Sequence, residues 1–336
     1  MRQITRKSTI LFTSVLVVCL FTAFIPDTHT CQHATWGFFG HKKINELAIY
    51  TLPEEMFGFY KAHMDYLIEH SVDPDKRRYG VVGEAECHYI DMDRYADSLH
   101  PNPFDNVPRR WIDAVAKYSE DSLRAHGIVP WNIYNVEQKL TEAFRKKDVL
   151  RILRLSAEIG HYIGDAHVPL HTTSNYNGQK TNQRGIHGFW ESRLPELYST
   201  DYDFFVGKAN YIKAPLNYIW ERIGESYACV DSVLGFEQSL NGSFANDRKY
   251  SYESRGNTSM KVYSEEYSRA YSEMLDGQVE RRMQSAVLTV GSFWYTAWAD
   301  AGSPDLLPFV NINLQELADT SQISVGQDNI KVRDHE

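Results

Sequence analysis

Residues 159–173, IGHYIGDAHVPLHTT, set His161, Asp165, His167 and His171 into an otherwise apolar stretch. Burying imidazoles and carboxylates is costly unless something pairs with them. His161 and Asp165 are four positions apart and share one face of a helix. His171 follows Pro169, where that helix has to stop. The same four-residue step recurs in GIHGFWESRLPEL as His187 and Glu191. Upstream, ECHYIDMD supplies His88, SVDPDKRRYG supplies Asp73 and Asp75, and TWGFFGHKK supplies His41. Imidazole nitrogens and carboxylate oxygens are the donors zinc takes, and a catalytic zinc keeps one position open for water. Five histidines and three carboxylates are too many for one ion and suit two or three. No Ser–His–Asp nucleophile elbow, glycine-rich phosphate loop or CxxC pair competes.

Such donors must be held by rigid elements, and the periodicity says helices. Residues 41–52, 54–69, 108–126, 136–147 and 148–168 carry apolar side chains at three- and four-residue spacing, and 209–232 and 260–299 repeat the pattern. Leu150, Leu153, Ala157, His161 and Asp165 continue one stripe, so the core-facing side of that helix turns polar at its end. Strand signals are scarce. Residues 174–186 read as a polar loop and 240–259 as a longer one, a lid or a disordered insert. The aromatic positions of 260–299 read as core, and the polar tail 319–336 as disordered. The expectation is an all-α protein.

The chain has 336 residues, 43% of them apolar, enough for a large single core. Its formal charge of −9 gives no global basic field for a nucleic-acid duplex, leaving only local patches. MRQITRK followed by the sixteen-residue apolar run ILFTSVLVVCLFTAFI has the order of an export signal. That run is shorter than the roughly 20 residues of a membrane span; an uncleaved anchor is the alternative. The expected destination is periplasmic or secreted. Cys19 and Cys31 would leave with the signal. Cys87 and Cys229 would remain, either paired in an oxidising compartment or as buried thiols.

The ordered motifs Trp36-x4-His41, Asp73-x14-His88, His161-x3-Asp165-x5-His171 and His187-x3-Glu191 resemble the zinc-dependent phospholipase C and single-strand-specific zinc nuclease superfamily. The likeness spans 36–191 in motifs and is compatible with helices thereafter. It implies a single multi-helix domain over 36–318 with a cluster of three zinc ions in a cleft, hydrolysing phosphate esters. Carried over residue by residue, it assigns Asp73, His88, His161 and Asp165 to one zinc. A second, sharing Asp165 as a bridge, takes His41 and the α-amino group and carbonyl of Trp36. A third takes His171, His187 and Glu191. Asp73 is preferred to Asp75 because its distance to His88 is that of the nuclease branch. A Trp36 amine can ligate only in a chain that begins there, which sets the signal peptide at 1–35. Asp91 is either an acceptor for a ligand imidazole's second N–H or a surface charge. His63, His70, His100 and His126 are expected in solvent, with His167 pointing away from the cluster.

The resemblance further implies attack on phosphorus by a zinc-activated water, with Asp73 orienting it and accepting its proton. Lys76 or Arg77 is the cation expected to neutralise phosphate. The nuclease branch has an arginine three residues after its ligand aspartate, where this chain has Lys76. Glu191 in the last-ligand position resembles the phospholipase branch, and the negative charge leans towards lipid or small phosphodiesters. The lone histidine five residues after Trp36 and the Asp73–His88 spacing resemble the nuclease branch, for which Phe38, Phe39, Tyr176 and Phe189 would be stacking platforms. The first reading is a phospholipase C-like phosphodiesterase and the second a single-strand-specific nuclease acting on nucleic acid. A non-catalytic zinc-binding protein on the same scaffold is the third. No obligate protein partner is evident.

Overall fold

The computed structural model describes residues 37–255 and 258–314. The expectations for Trp36, the signal segment and the 319–336 tail lie outside the described residues. Fourteen α-helices run along the described chain: α1 (Gly37–Ile49), α2 (Glu54–Ala62), α3 (Met64–His70), α4 (Asp73–Arg77), α5 (Trp111–Tyr118), α6 (Glu120–Ala125), α7 (Val129–Lys146), α8 (Val149–Ala166), α9 (Ile186–Gly188), α10 (Leu194–Tyr198), α11 (Pro215–Ala228), α12 (Val230–Ser243), α13 (Glu265–Leu275) and α14 (Gln278–Asp300). The exception to the helical pattern is an antiparallel hairpin, β1 (Tyr250–Arg255) with β2 (Thr258–Tyr263). Among the described residues no helix is long and apolar enough to cross a membrane.

α8 is the central element, packed against α7, α1, α3, α11 and α14. It starts where the Asp148 side chain accepts the Arg151 N–H at 3.2 Å, satisfying one of the helix's orphan donors. Every residue from Ile159 to Ala166 is buried. Two of them are glycines facing α1. A Cβ on Gly160 would lie 2.2 Å from Asn45 Oδ1, and one on Gly164 would lie 2.9 Å from His41 Nδ1. The missing side chains let α1 seat against α8, which carries His41 to the polar end of the α8 stripe.

Four long helical expectations divide, among them 209–232, which becomes helical only at Pro215 and parts at Cys229 into α11 and α12. The segment 54–69 turns at His63, which leaves the α region (φ −106°, ψ 19°). The segment 108–126 breaks at Ser119, whose φ is +66° and whose hydroxyl caps α6 through the Ser122 N–H. The segment 260–299 does not begin as helix. Residues 258–263, TSMKVY, pair with 250–255 instead, and a further break falls at Asp276 and Gly277, both with positive φ. The insert over 240–259 is thus the end of α12, a 3-10 turn and one strand of a hairpin. His63 is buried rather than solvated, bonded through Nε2 to the Phe309 carbonyl at 2.9 Å. Cys87 and Cys229 are both free thiols, and burial pushes the Cys87 thiol up to about 12.

Candidate metal centre

Eight side chains from six separate segments meet at the polar end of α8. His161 and Asp165 come from α8 and His41 from α1. Asp75 comes from α4, which Pro74 preorganises in its first turn. His88 ends a 3-10 turn over Ala85–His88, and His171 lies in another over Pro169–Thr172. His187 sits in α9. Glu191 follows in a single π-helical turn over Phe189–Arg193, a helical irregularity frequent at functional sites. All eight are buried.

Asp165 is the hub. Its Oδ2 lies 2.9 Å from His88 Nδ1 and 3.3 Å from His161 Nε2. Its Oδ1 lies 3.4 Å from His41 Nε2 and 3.7 Å from His171 Nε2. Each oxygen thus addresses a different pair of imidazoles. On the far side, Glu191 Oε2 lies 3.0 Å from His187 Nε2 and 3.4 Å from His171 Nε2.

The aspartate that meets the histidines from α4 is Asp75, not Asp73. Asp75 Oδ1 lies 3.7 Å from His161 Nε2 and 3.8 Å from His88 Nδ1. Asp73 bonds His70 Nδ1 at 2.5 Å and Lys76 Nζ at 3.0 Å. Positions two apart on a helix do not face one way, so α4 turns one aspartate inward and the other out. The expected cations also lie elsewhere. Lys76 pairs with Asp73 and Glu69, and Arg77 bonds Glu84, Glu158 and Tyr162. The residue three after Asp75 is Arg78. Its guanidinium is buried, lies 3.5 Å from Asp75 Oδ1, and its nitrogens make no hydrogen bond among the described residues.

The outer nitrogens of the imidazoles are tied down. His161 Nδ1–H donates to the Ser71 carbonyl at 2.9 Å, His171 Nδ1–H to His88 O at 2.6 Å, and His187 Nδ1–H to Tyr176 O at 3.0 Å. A carbonyl can only accept, so Nδ1 carries the proton and the Nε2 lone pair points inward. His88 is reversed: its Nδ1 faces the cluster and its Nε2 lies 3.5 Å from Glu84 Oε1. Glu84, four residues before His88, escaped the sequence reading, although that spacing on a helical turn was its signal. Burial works against its charge, but His88, Arg77 and Tyr162 outweigh it and hold its carboxyl at about 2. His167 points away, towards the Ile163 carbonyl and Ser285. Phe189, expected as a stacking platform, is buried under Tyr263. Phe39 is exposed, and Phe38 and Tyr176 are half-buried.

Electrostatically, the carboxylates demand positive charge. Burial opposes ionisation of Asp165, yet His161 and His171 hold it well below the usual carboxylate range. Glu191 is likewise held at about 2 by His187 and His171 against its burial. Against burial of its own, His161 is lifted to about 9 by Asp165 and Asp75. That charge can come from protons or from cations. Cations fit. Three groups have ligand atoms within 4.8 Å of one another: His41, Asp75 and His161; His88, His161 and Asp165; and His171, His187 and Glu191. Asp165 Oδ1 is buried and accepts no hydrogen bond within the described structure, and the donors are those of zinc.

No curated protein matches the chain significantly. Among solved structures, the alpha-toxin of Clostridium perfringens from avian strain SWCP is similar with a TM-score of 0.44 and 13% identity. The alpha toxin of Clostridium absonum is similar with a TM-score of 0.42 and 12% identity. Each match covers 81% of this chain but 65% of the toxin, so the chain spans just under two thirds of either. The family model for S1/P1 nuclease matches residues 36–284. That match takes in every segment of the buried cluster, and the chain belongs to the S1/P1 nuclease family.

Proposed function

We propose that the protein is an exported zinc-dependent phosphodiesterase that cleaves single-stranded nucleic acid, with three zinc ions in the cluster. The match to a nuclease family over residues 36–284 carries this reading. A second observation supports it: Asp75 with Arg78 restores the aspartate and arginine, three apart, that the nuclease branch has and that Asp73 with Lys76 did not supply. Asp75 stands thirteen residues before His88, two fewer than Asp73.

In this reading His88, His161, Asp75 and Asp165 hold one ion. His41 holds a second with Asp165 and the Trp36 terminus, and His171, His187 and Glu191 hold the third. Bound zinc supplies Lewis acidity towards a phosphoryl oxygen and lowers the pKa of water. The chain supplies the rest. Asp75, kept ionised against its burial by His161, His88 and His41, orients the attacking water and accepts its proton at a carboxylate oxygen. Arg78 presents a planar fork of donors to the phosphate, a geometry that lysine lacks. Glu84 and the three main-chain carbonyls fix the imidazoles, and burial of the cluster excludes bulk water. The departing oxygen leaves with the proton that Asp75 took up.

A phospholipase C-like reading remains, favoured by Glu191 where the nucleases carry aspartate. One assay separates the two. Zinc-loaded protein is offered single-stranded DNA, RNA, phosphatidylcholine and bis(p-nitrophenyl) phosphate in parallel. Single strands cleaved at least about tenfold faster than the lipid, by transition-state discrimination, are the expected result. Lipid cleavage without strand cleavage would reverse the order, and inactivity on all four would return the non-catalytic reading.

A further inference from the structure

The hairpin carries a row of aromatic rings that this chemistry leaves unused. In its ladder Tyr250 pairs with Tyr263 and Tyr252 with Lys261, so the two-residue period of a strand puts all four on one face. The row begins at the segment that bears His187 and Glu191. Phe189, between His187 and Glu191, stacks on Tyr263 at 3.8 Å and 15°, and Tyr263 lies 5.1 Å from Tyr250. Exposure rises outward, from 1% at Phe189 through half-buried Tyr263 to 38% at Tyr250 and 75% at Tyr252. Lys261 Nζ sits over the Tyr250 ring, 3.9 Å from its centroid, and makes no ion pair among the described residues. Ser254 and Ser259 complete that face of the two strands, and Lys249, paired with Glu237, also lies over the Tyr250 and Tyr263 rings at 5.7 and 5.6 Å.

An isolated two-stranded hairpin is marginal in water. This one is pinned to the segment that bears His187 and Glu191. Arg193, two residues after Glu191, donates to Tyr263 O at 3.1 Å and binds Glu253 on the hairpin's other face at 2.9 Å.

We propose that this face is a docking track for single-stranded nucleic acid, on which bases of the bound strand stack on Tyr250 and Tyr252 while a phosphate pairs with Lys261. The inference rests on the nuclease reading. Every base offers a π-face, so stacking grips a strand without reading its sequence, and the Lys261 cation on the same face complements the backbone. A lipid surface would call for aliphatic side chains, but Met260 and Val262 point to the opposite face.

The test compares zinc-loaded wild type with the Tyr252→Ala/Lys261→Ala double variant and with Tyr252→Ala alone. Binding of a fluorescein-labelled phosphorothioate strand of twelve thymidines is read by anisotropy. Turnover of bis(p-nitrophenyl) phosphate, which has no strand to lay along the hairpin, is read beside it. The double variant should bind the strand about tenfold more weakly and the single variant about fivefold, following the worth of base stacking. Small-diester turnover should not change. A wild type that binds the phosphorothioate strand but leaves the all-phosphate strand uncleaved would support the track while rejecting the nuclease reading. Unchanged strand affinity in both variants, no strand binding by wild type, or parallel loss of small-diester turnover would overturn the proposal. So would variants that lose binding to phosphatidylcholine vesicles yet keep the strand.

Discussion

Asp73 and Asp75 share a five-residue helix, yet only one enters the cluster. Asp75→Asn should lower turnover by roughly 100-fold or more, the range of a lost proton acceptor. Asp73→Asn should leave it within about fivefold, since a half-exposed pair with lysine and histidine contributes little. Steady-state kinetics on one substrate compares the two, and the reverse ranking would return the role to Asp73. Asp165 answers to a different measurement. Because its two oxygens address different imidazole pairs, Asp165→Ala should lose more than one of about three zincs by elemental analysis; a variant that keeps them all would refute the bridge. His161 with Asp165 and His187 with Glu191 were legible in the sequence because each pair shares one helical turn. Asp75 was not, because a spacing count cannot see which way a short helix turns its faces.

The seating of α1 on α8 belongs to the scale of elements. Gly160→Ala should destabilise the fold by about 1–3 kcal/mol, as overpacking does, and should weaken zinc binding because α1 carries His41. A melting curve and a zinc titration read both effects, and an unchanged melting temperature would mean that Asn45 moves aside at no cost. Most helices were legible from their apolar period, and α8 lies close to its expected bounds, whereas α7 begins seven residues before its own. The hairpin was not. TSMKVY continues a tyrosine-rich run whose apolar positions fit either period, and only pairing with 250–255 decides between them. The breaks at His63 and Ser119 were invisible for a related reason: an interrupted helix keeps the same apolar positions on either side of the turn.

For the whole molecule, acid and chelator should act alike at first. Ligand imidazoles must shed protons to bind metal, so zinc should leave as pH falls below about 6. Glu191, with its carboxyl held at about 2, behaves differently. A folded pKa below the unfolded one contributes stability above the ordinary carboxylate range and loses it as pH falls towards that value. Activity should therefore vanish before helical circular dichroism does, and return with zinc at neutral pH. Coincident loss of both signals would contradict this order, and full activity in excess chelator would remove the metal from the mechanism. Processing is the other property of the entire chain. If the Trp36 amine is a ligand, intact mass of the exported protein should correspond to a chain beginning at Trp36. A longer chain that still binds three zincs would show that the amine is dispensable.

The hydrogen bonds from His161, His171 and His187 to main-chain carbonyls have a consequence for how the protein handles ions. Each imidazole leans on a segment that bears or adjoins another donor: Ser71 before α4, His88 itself, and Tyr176 after His171. The inward lone pairs are aimed by the backbone, not by whatever they hold. The fold itself sets the direction of these three donors, so a captured ion would find the rings already turned towards it.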